Sequence, residues 1–265
     1  MIYIWKEWKE QSRGKGLWLA MCMVILISFF ILQQSRSFPS DEGFEIFLLS
    51  LYEMNVFLIP LLSLFIASFA IMQEKEQKTL TILLTKKESY RTFLLKKSMA
   101  IQLVTILVFV GWYCIFSLPM KAFLPYSPGS FLPFILSITI VLFIFNQLGI
   151  FLGSICSTRM QLVGANIFTW FLFVFLIDLA FLYYIPVVTD QNIKTFSILF
   201  FLDPLHTVHF YLESALGLFP IDHMSRLMQK MVFLSPVKFL LIDIVIWFGI
   251  IFEFSVWFRV KGEKV

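Results

Sequence analysis

The sequence predicts an all-α membrane protein with six transmembrane helices, and three observations carry that prediction. Hydrophobic residues make up 59% of the 265 positions and charged residues only 14%, which leaves too little polar surface for a water-soluble globule. The apolar residues gather in runs of about 16 to 27 positions, bracketing the roughly 20 that a helix needs to cross a bilayer. The basic residues stand at the ends of those runs. Fifteen of the 21 Lys and Arg fall in segments that six crossings put on one side, and the positive-inside bias makes that side the cytoplasm. Residues 1–265 are therefore read as a single transmembrane domain in the cell membrane, with both termini cytoplasmic.

Each element follows from its residues. Residues 1–15 place Ile4, Trp5 and Trp8 among Lys6, Lys9, Arg13 and Lys15, the composition of an elbow helix lying in the headgroup layer. No small-residue cleavage site follows the first apolar run, so that run is expected to stay as an anchor. It covers about Leu17 to Leu32 and borrows Gly16 and Gln33 to reach bilayer length. The acidic loop from Gln34 to Glu45 reads as external. The second span, Phe47 to Met72, contains Pro60, which can kink a membrane helix where neighbours satisfy the freed carbonyl. A charged island, residues 73–97, comes next. Glu74 stands four residues before Lys78, the favourable order for a helical ion pair, and Leu80, Leu83 and Leu84 share one side of a short amphipathic helix. Lys86, Lys87, Arg91, Lys96 and Lys97 crowd the entrance to the third span, about Ser98 to Leu118.

A Pro- and Gly-containing loop, Pro119 to Ser130, leads to the fourth span, about Phe131 to Ser157. Gly149, Gly153 and Ser157 repeat there every four residues, a ridge that lets another helix approach closely. The turn Thr158 to Gln161 carries Arg159 and opens the fifth span, about Leu162 to Ile185. The sixth runs from about Phe239 to Phe258 and ends in Arg259, Lys261 and Lys264. Between these two, residues 186–238 are too long for a turn and too apolar for a linker. Their apolar stretch breaks at Asp203 and Pro204, so a re-entrant or interfacial hairpin on the outer side is expected in place of a seventh span.

The chemistry the chain lacks narrows its function. No GxxxxGK[ST] phosphate loop occurs, so the chain cannot bind and hydrolyse ATP by that route. A Ser/His/Asp triad needs a polar, wet core, yet His206, His209 and His223 all lie in the outer segment. No catalytic residue is assigned, and the chain is read as a non-enzyme. Nucleic-acid binding is excluded because the basic residues track span ends and form no separate domain. Cys22, Cys114 and Cys156 lie in apolar runs and are odd in number, so they read as small buried hydrophobes without a disulfide framework. His206 and His209 share a helical face, and His223, Met224 and Met228 recur at helix spacing. Imidazole with thioether suits copper(I), but Met and His near a membrane interface more commonly pack, so no metal is assigned.

The acids within spans are the better lead. Counted at about 1.5 Å per residue from the outer ends, Glu53 lies roughly 9 Å deep, Asp178 roughly 10 Å and Asp243 roughly 6 Å. An acid at mid-helix costs about 2.5–3.5 kcal/mol in lipid. These three are therefore expected to face helices, water or a cargo path, and with Asn55 they are candidates to line an outward vestibule. Glu253, near the inner end of the last span, is expected to pair with Arg259 or with another helix.

The pattern Glu74, Glu76, Thr79, Leu80, Leu83 and Leu84, then a polar turn with Ser89 and Arg91, then Lys96 or Lys97 before an apolar helix, resembles the first cytoplasmic loop of type-2 ABC transporter permeases. Thr81 stands where an acid often follows the Thr-Leu pair, and the usual proline before Ser89 is absent. The resemblance extends over the elbow, the six spans and the outer hairpin. It implies the permease subunit of an ATP-driven exporter, with Glu74, Glu76, Lys78, Thr79, Leu80, Leu83, Arg91 and Arg159 coupling it to a separate ABC ATPase subunit. ATP and Mg would sit on that partner, a second permease copy or paralogue would complete the path, and the lipid bilayer would surround both. A looser likeness, Leu202-Asp203-Pro204 with His206 and Phe210, resembles an element of permeases from the nitrous-oxide-reductase maturation branch, with Asp203 in place of Asn. The alternatives are a secondary transporter or a membrane assembly subunit with no ATPase partner. The first would show an internal repeat, and the two halves do not match.

Overall fold

The computed structural model describes residues 2–35, 43–77, 89–189, 191–218 and 226–258. The helices are α1 (Ile2–Arg13), α2 (Lys15–Gln34), α3 (Gly43–Glu76), α4 (Tyr90–Phe123), α5 (Pro128–Ile155), α6 (Arg159–Phe171), α7 (Ile177–Tyr184), α8 (Ile193–Phe200), α9 (Pro204–Leu216), α10 (Arg226–Met231) and α11 (Pro236–Trp257). A π-helical turn, Leu172–Leu176, joins α6 to α7, and a 3-10 turn, Ile185–Val187, ends that rod. Among the described residues, six helices are long and apolar enough to cross a membrane: α2, α3, α4, α5, the α6–α7 rod and α11. The expected all-α, six-span architecture is thus the observed one.

Charged residues extend several spans beyond their apolar runs. α4 begins at Tyr90, earlier than the expected Ser98, because the Ser89 hydroxyl caps it by accepting from the Thr92 N–H at 3.2 Å. Asp, Ser and Thr are favoured at this position because a helix start leaves its first N–H groups without intrahelical partners. Pro119, expected to end the span, lies inside α4, and Pro60 lies inside an unbroken α3.

The core lies between α3 and α5. The small residues of α5 face α3 so closely that a Cβ on Gly149 would stand 2.7 Å from the Leu64 carbonyl oxygen, and one on Gly153 would stand 2.8 Å from the Ile71 Cβ. The glycine ridge is therefore an internal contact of this chain. Ser157 does not belong to it, because α5 ends at Ile155. Lipid tails are as apolar as leucine, so close packing and buried hydrogen bonds must hold such a bundle together. α4 and α5 supply several of those bonds: Ser98 donates to Gln147 at 2.9 Å, and the Asn146 amide donates to Thr105 at 2.6 Å and Gln102 at 3.1 Å. Asn166 ties α6 to Ser68 of α3 at 2.7 Å.

The cysteines depart from expectation. Cys156 is buried, but Cys22 and Cys114 are exposed. Cys22 lies a turn from exposed Trp18 and Leu26. An apolar run alone does not separate the protein-facing side of a span from its lipid-facing side, since both are greasy.

On the face opposite α1, Asp203 and Pro204 start α9 in the usual manner, with acid at the N-cap and proline in the first turn. Leu205, Val208 and Leu212 form its buried stripe, and the helix stops at Gly217, whose φ of +72° suits a residue without a Cβ. α9 packs on α3, α5 and α11. The 8-residue α8 and 13-residue α9 are each too short to span a bilayer.

Candidate functional site

The last turn of α3 carries Glu74, Lys75 and Glu76 in succession, and each reaches a different part of the bundle. Glu74 is 3% exposed. It accepts from Lys6 of α1 at 2.8 Å and from Lys97 of α4 at 3.0 Å. Lys97, equally buried, also pairs with Glu7 of α1, and Glu10 stands 3.8 Å away. Three carboxylates and two ammonium groups thus form one network joining α1, α3 and α4. Lys75 donates to the carbonyls of Ser154 at 2.7 Å and Cys156 at 3.0 Å, satisfying groups left open where α5 stops. Glu76 forms a forked pair with Arg159, the first residue of α6, with Nε to Oε1 at 2.5 Å. A fourth tie on this face pairs Arg91 of α4 with Glu253 of α11, the cross-helix option expected for that acid.

Of the residues assigned to coupling, the structure brings Glu76 and Arg159 together on the surface and pairs Arg91 separately with Glu253. Glu74 is set apart from these by its burial: it holds helices together and offers no surface for a partner. Lys78, Thr79, Leu80 and Leu83 lie outside the described residues. Sequence reasoning read Lys97 only as a charge at the entrance to the third span and gave no role to Glu7. The signal for Lys97 was available, since it falls on the buried stripe Phe93, Leu94, Ile101 at helical spacing. A lysine on such a stripe requires partners.

On the opposite face, the vestibule candidates divide. Glu53 and Asp178 line one cavity of about 330 Å³ together with Tyr52, His206 and His209. Asn55 and Asp243 do not line it. Asn55 is fully buried and donates to the Leu51 carbonyl at 2.6 Å. Asp243 is 3% exposed, and one of its carboxyl oxygens has no hydrogen-bond partner among the described residues. His206 contacts Asp203 through Nδ1 and Asp178 through Nε2, the latter at 3.1 Å. Burial holds His209 below the usual imidazole range. His223 and Met224 lie outside the described residues, and Met228 falls in α10, where its side chain is not described. A second, larger cavity of about 750 Å³ lies between α7 and α8, with Phe181, Tyr184, Phe196 and Leu199 among its mostly apolar lining.

Six spans, a glycine-lined helix pair and a charge-tied face define a polytopic membrane protein. The chain matches the family described as ABC-2 family transporter protein over residues 1–259, and it belongs to that family. It is a membrane-spanning permease component of an ABC transporter. No curated protein matches it.

Proposed function

We propose that this chain is the permease half of an ATP-driven exporter in the cell membrane, with both termini in the cytoplasm and a separate ABC ATPase gripping the face that carries α1. The observation that carries the reading is the end of α3, where Glu74, Lys75 and Glu76 connect α1, α4, α5 and α6. Residues 73–97 and the Arg159 turn, the two segments suited to docking, meet in the Glu76–Arg159 pair. A push at either is transmitted to both, which is what a two-site coupling needs: distinct sites biasing one rigid element. ATP and Mg belong to the ATPase, and a second permease copy or a paralogue completes the path. Family membership supports an ABC ATPase as the partner.

Pull-down of the detergent-solubilised chain tests the reading directly: a P-loop ATPase should copurify. Its absence, with transport driven by an ion gradient, would favour a secondary transporter, and absence of both would favour an assembly subunit. For topology, Thr79→Cys in a cysteine-free background is expected to react with an impermeant thiol reagent in inverted vesicles and not in intact cells. Labelling from outside would overturn the orientation.

A charge test follows from the exposed pair. Glu76→Arg should lower transport and transport-stimulated ATPase activity several-fold, while insertion stays normal. The swapped variant, Glu76→Arg with Arg159→Glu, should recover much of the loss. Unchanged activity in the single variant would count against coupling through this pair.

A further inference from the structure

We propose that Asp178 and His206 bind a divalent transition-metal cation, of which zinc is the type, on the face opposite α1. This site stands independently of the export reading. The argument starts from the imidazole. His206 is held between two carboxylates, Asp203 at Nδ1 and Asp178 Oδ1 at 3.1 Å from Nε2. A neutral imidazole has one N–H. If that hydrogen serves Asp203, which is 3% exposed, the Nε2 lone pair faces a carboxylate oxygen. Two lone pairs at that distance repel unless a cation lies between them.

The surroundings favour a metal over a proton. One oxygen or nitrogen from each of Asp178, Asp203 and His206 can be chosen so that all three lie within 4.8 Å of one another. Two ligands about 2.0–2.2 Å from one tetrahedral zinc ion stand about 3.3–3.6 Å apart, so the 3.1 Å between Nε2 and Oδ1 need open only slightly to admit the ion. A divalent ion beside Nε2 faces the Asp178 and Asp203 carboxylates together, while Glu53 has His209 3.9 Å away. The cavity of about 330 Å³ in front of the pair gives room for the ion and its waters. Independently, the Tyr52 hydroxyl is buried at the wall of that cavity, with the residue 1% exposed, and has no hydrogen-bond partner among the described residues.

Asp203 acts as a positioning residue. Its Oδ1 caps α9 by accepting from the Leu205 N–H at 3.4 Å, and its Oδ2 contacts His206 Nδ1. This carboxylate–histidine–metal order fixes which imidazole nitrogen is free for the ion. Nitrogen with carboxylate oxygen, in the absence of thiolate or thioether, suits a borderline divalent ion better than copper(I). Because Asp178 stands on α7 and His206 on α9, the ion would fasten the fifth span to the outer helix.

Full-length, tag-free permease in detergent, stripped with a chelator and titrated with zinc alone against a fluorescent competitor, tests the site. Wild type should bind zinc with a thermal-stability gain that rises with zinc concentration. Asp178→Asn and His206→Gln should lose both signals. Asp178 is 59% exposed at its side chain, so its variant is expected to fold even if the histidine variant does not. Asp203→Asn keeps the helix cap, since Asn caps as well as Asp, yet should weaken zinc binding about 10- to 100-fold. Wild type that binds no zinc would leave the proton as the bridging cation and end the proposal. Equal binding by wild type and Asp178→Asn would end it too, since the zinc would then sit elsewhere, for example on a cysteine.

Discussion

Lys97→Met is expected to leave little folded permease. The substitution is nearly isosteric and apolar, so any loss reports charge, not volume. It removes the ammonium group that faces Glu7 and Glu74, whose side chains are only 2% and 4% exposed. Removing one partner of a buried ion pair costs about 3–5 kcal/mol, because the other charge is left without water or partner. Glu7 loses its ammonium partner outright here, and Glu74 keeps only Lys6, at 2.8 Å. Fluorescence-detected size exclusion and thermal melting in detergent measure the effect, as lost monodisperse yield and a lowered midpoint. Adding Glu7→Gln and Glu74→Gln to Lys97→Met should restore most of it, since a neutral cluster carries no stranded charge. If Lys97→Met alone melts like wild type, α1, α3 and α4 are not joined as described.

Gly149→Ala and Gly153→Ala should each destabilise the bundle, and together more so. The added methyl on Gly149 would meet the Leu64 carbonyl oxygen at 2.7 Å and the Ala67 Cβ at 2.9 Å, and that on Gly153 the Ser68 carbonyl oxygen at 2.8 Å. Backbone atoms cannot rotate aside, so α3 and α5 must separate along their length. Overpacking of this kind costs about 1–3 kcal/mol per site, and two sites on one helix pair will not add simply. Gly164→Ala is the matched control: nothing lies within 4 Å of its would-be Cβ, so it should be neutral or gain up to about 1 kcal/mol from helix propensity. A doubly substituted protein as stable as wild type would contradict the close approach of these helices.

The parts of this structure that could be read from sequence are those fixed by local chemistry. Six spans follow from run length and composition, and the glycine ridge from spacing alone. The break before α9 follows from Asp203-Pro204. Span ends were read less well. α4 starts at Tyr90 because Ser89 caps it and because Lys97, which looked like a boundary charge, is neutralised by acids from α1 and α3. Those partners lie far away in the chain, 23 residues for Glu74, and 68 separate Glu74 from Lys6, so no local pattern could name them. The vestibule acids were chosen by depth, which places a residue along the membrane normal but not around its helix. Glu53 and Asp178 therefore meet at one cavity, whereas Asp243 turns into the bundle.

The π turn at Leu172–Leu176 has a consequence for chain length. A π turn holds one residue more than an α-helix would, and one residue is worth about 100° of rotation about the axis. α7 is consequently out of phase with α6, and that offset aims Asp178 at His206. Losing a single residue from this turn would keep Asp178 and still swing its carboxylate about 100° around the helix axis, away from His206.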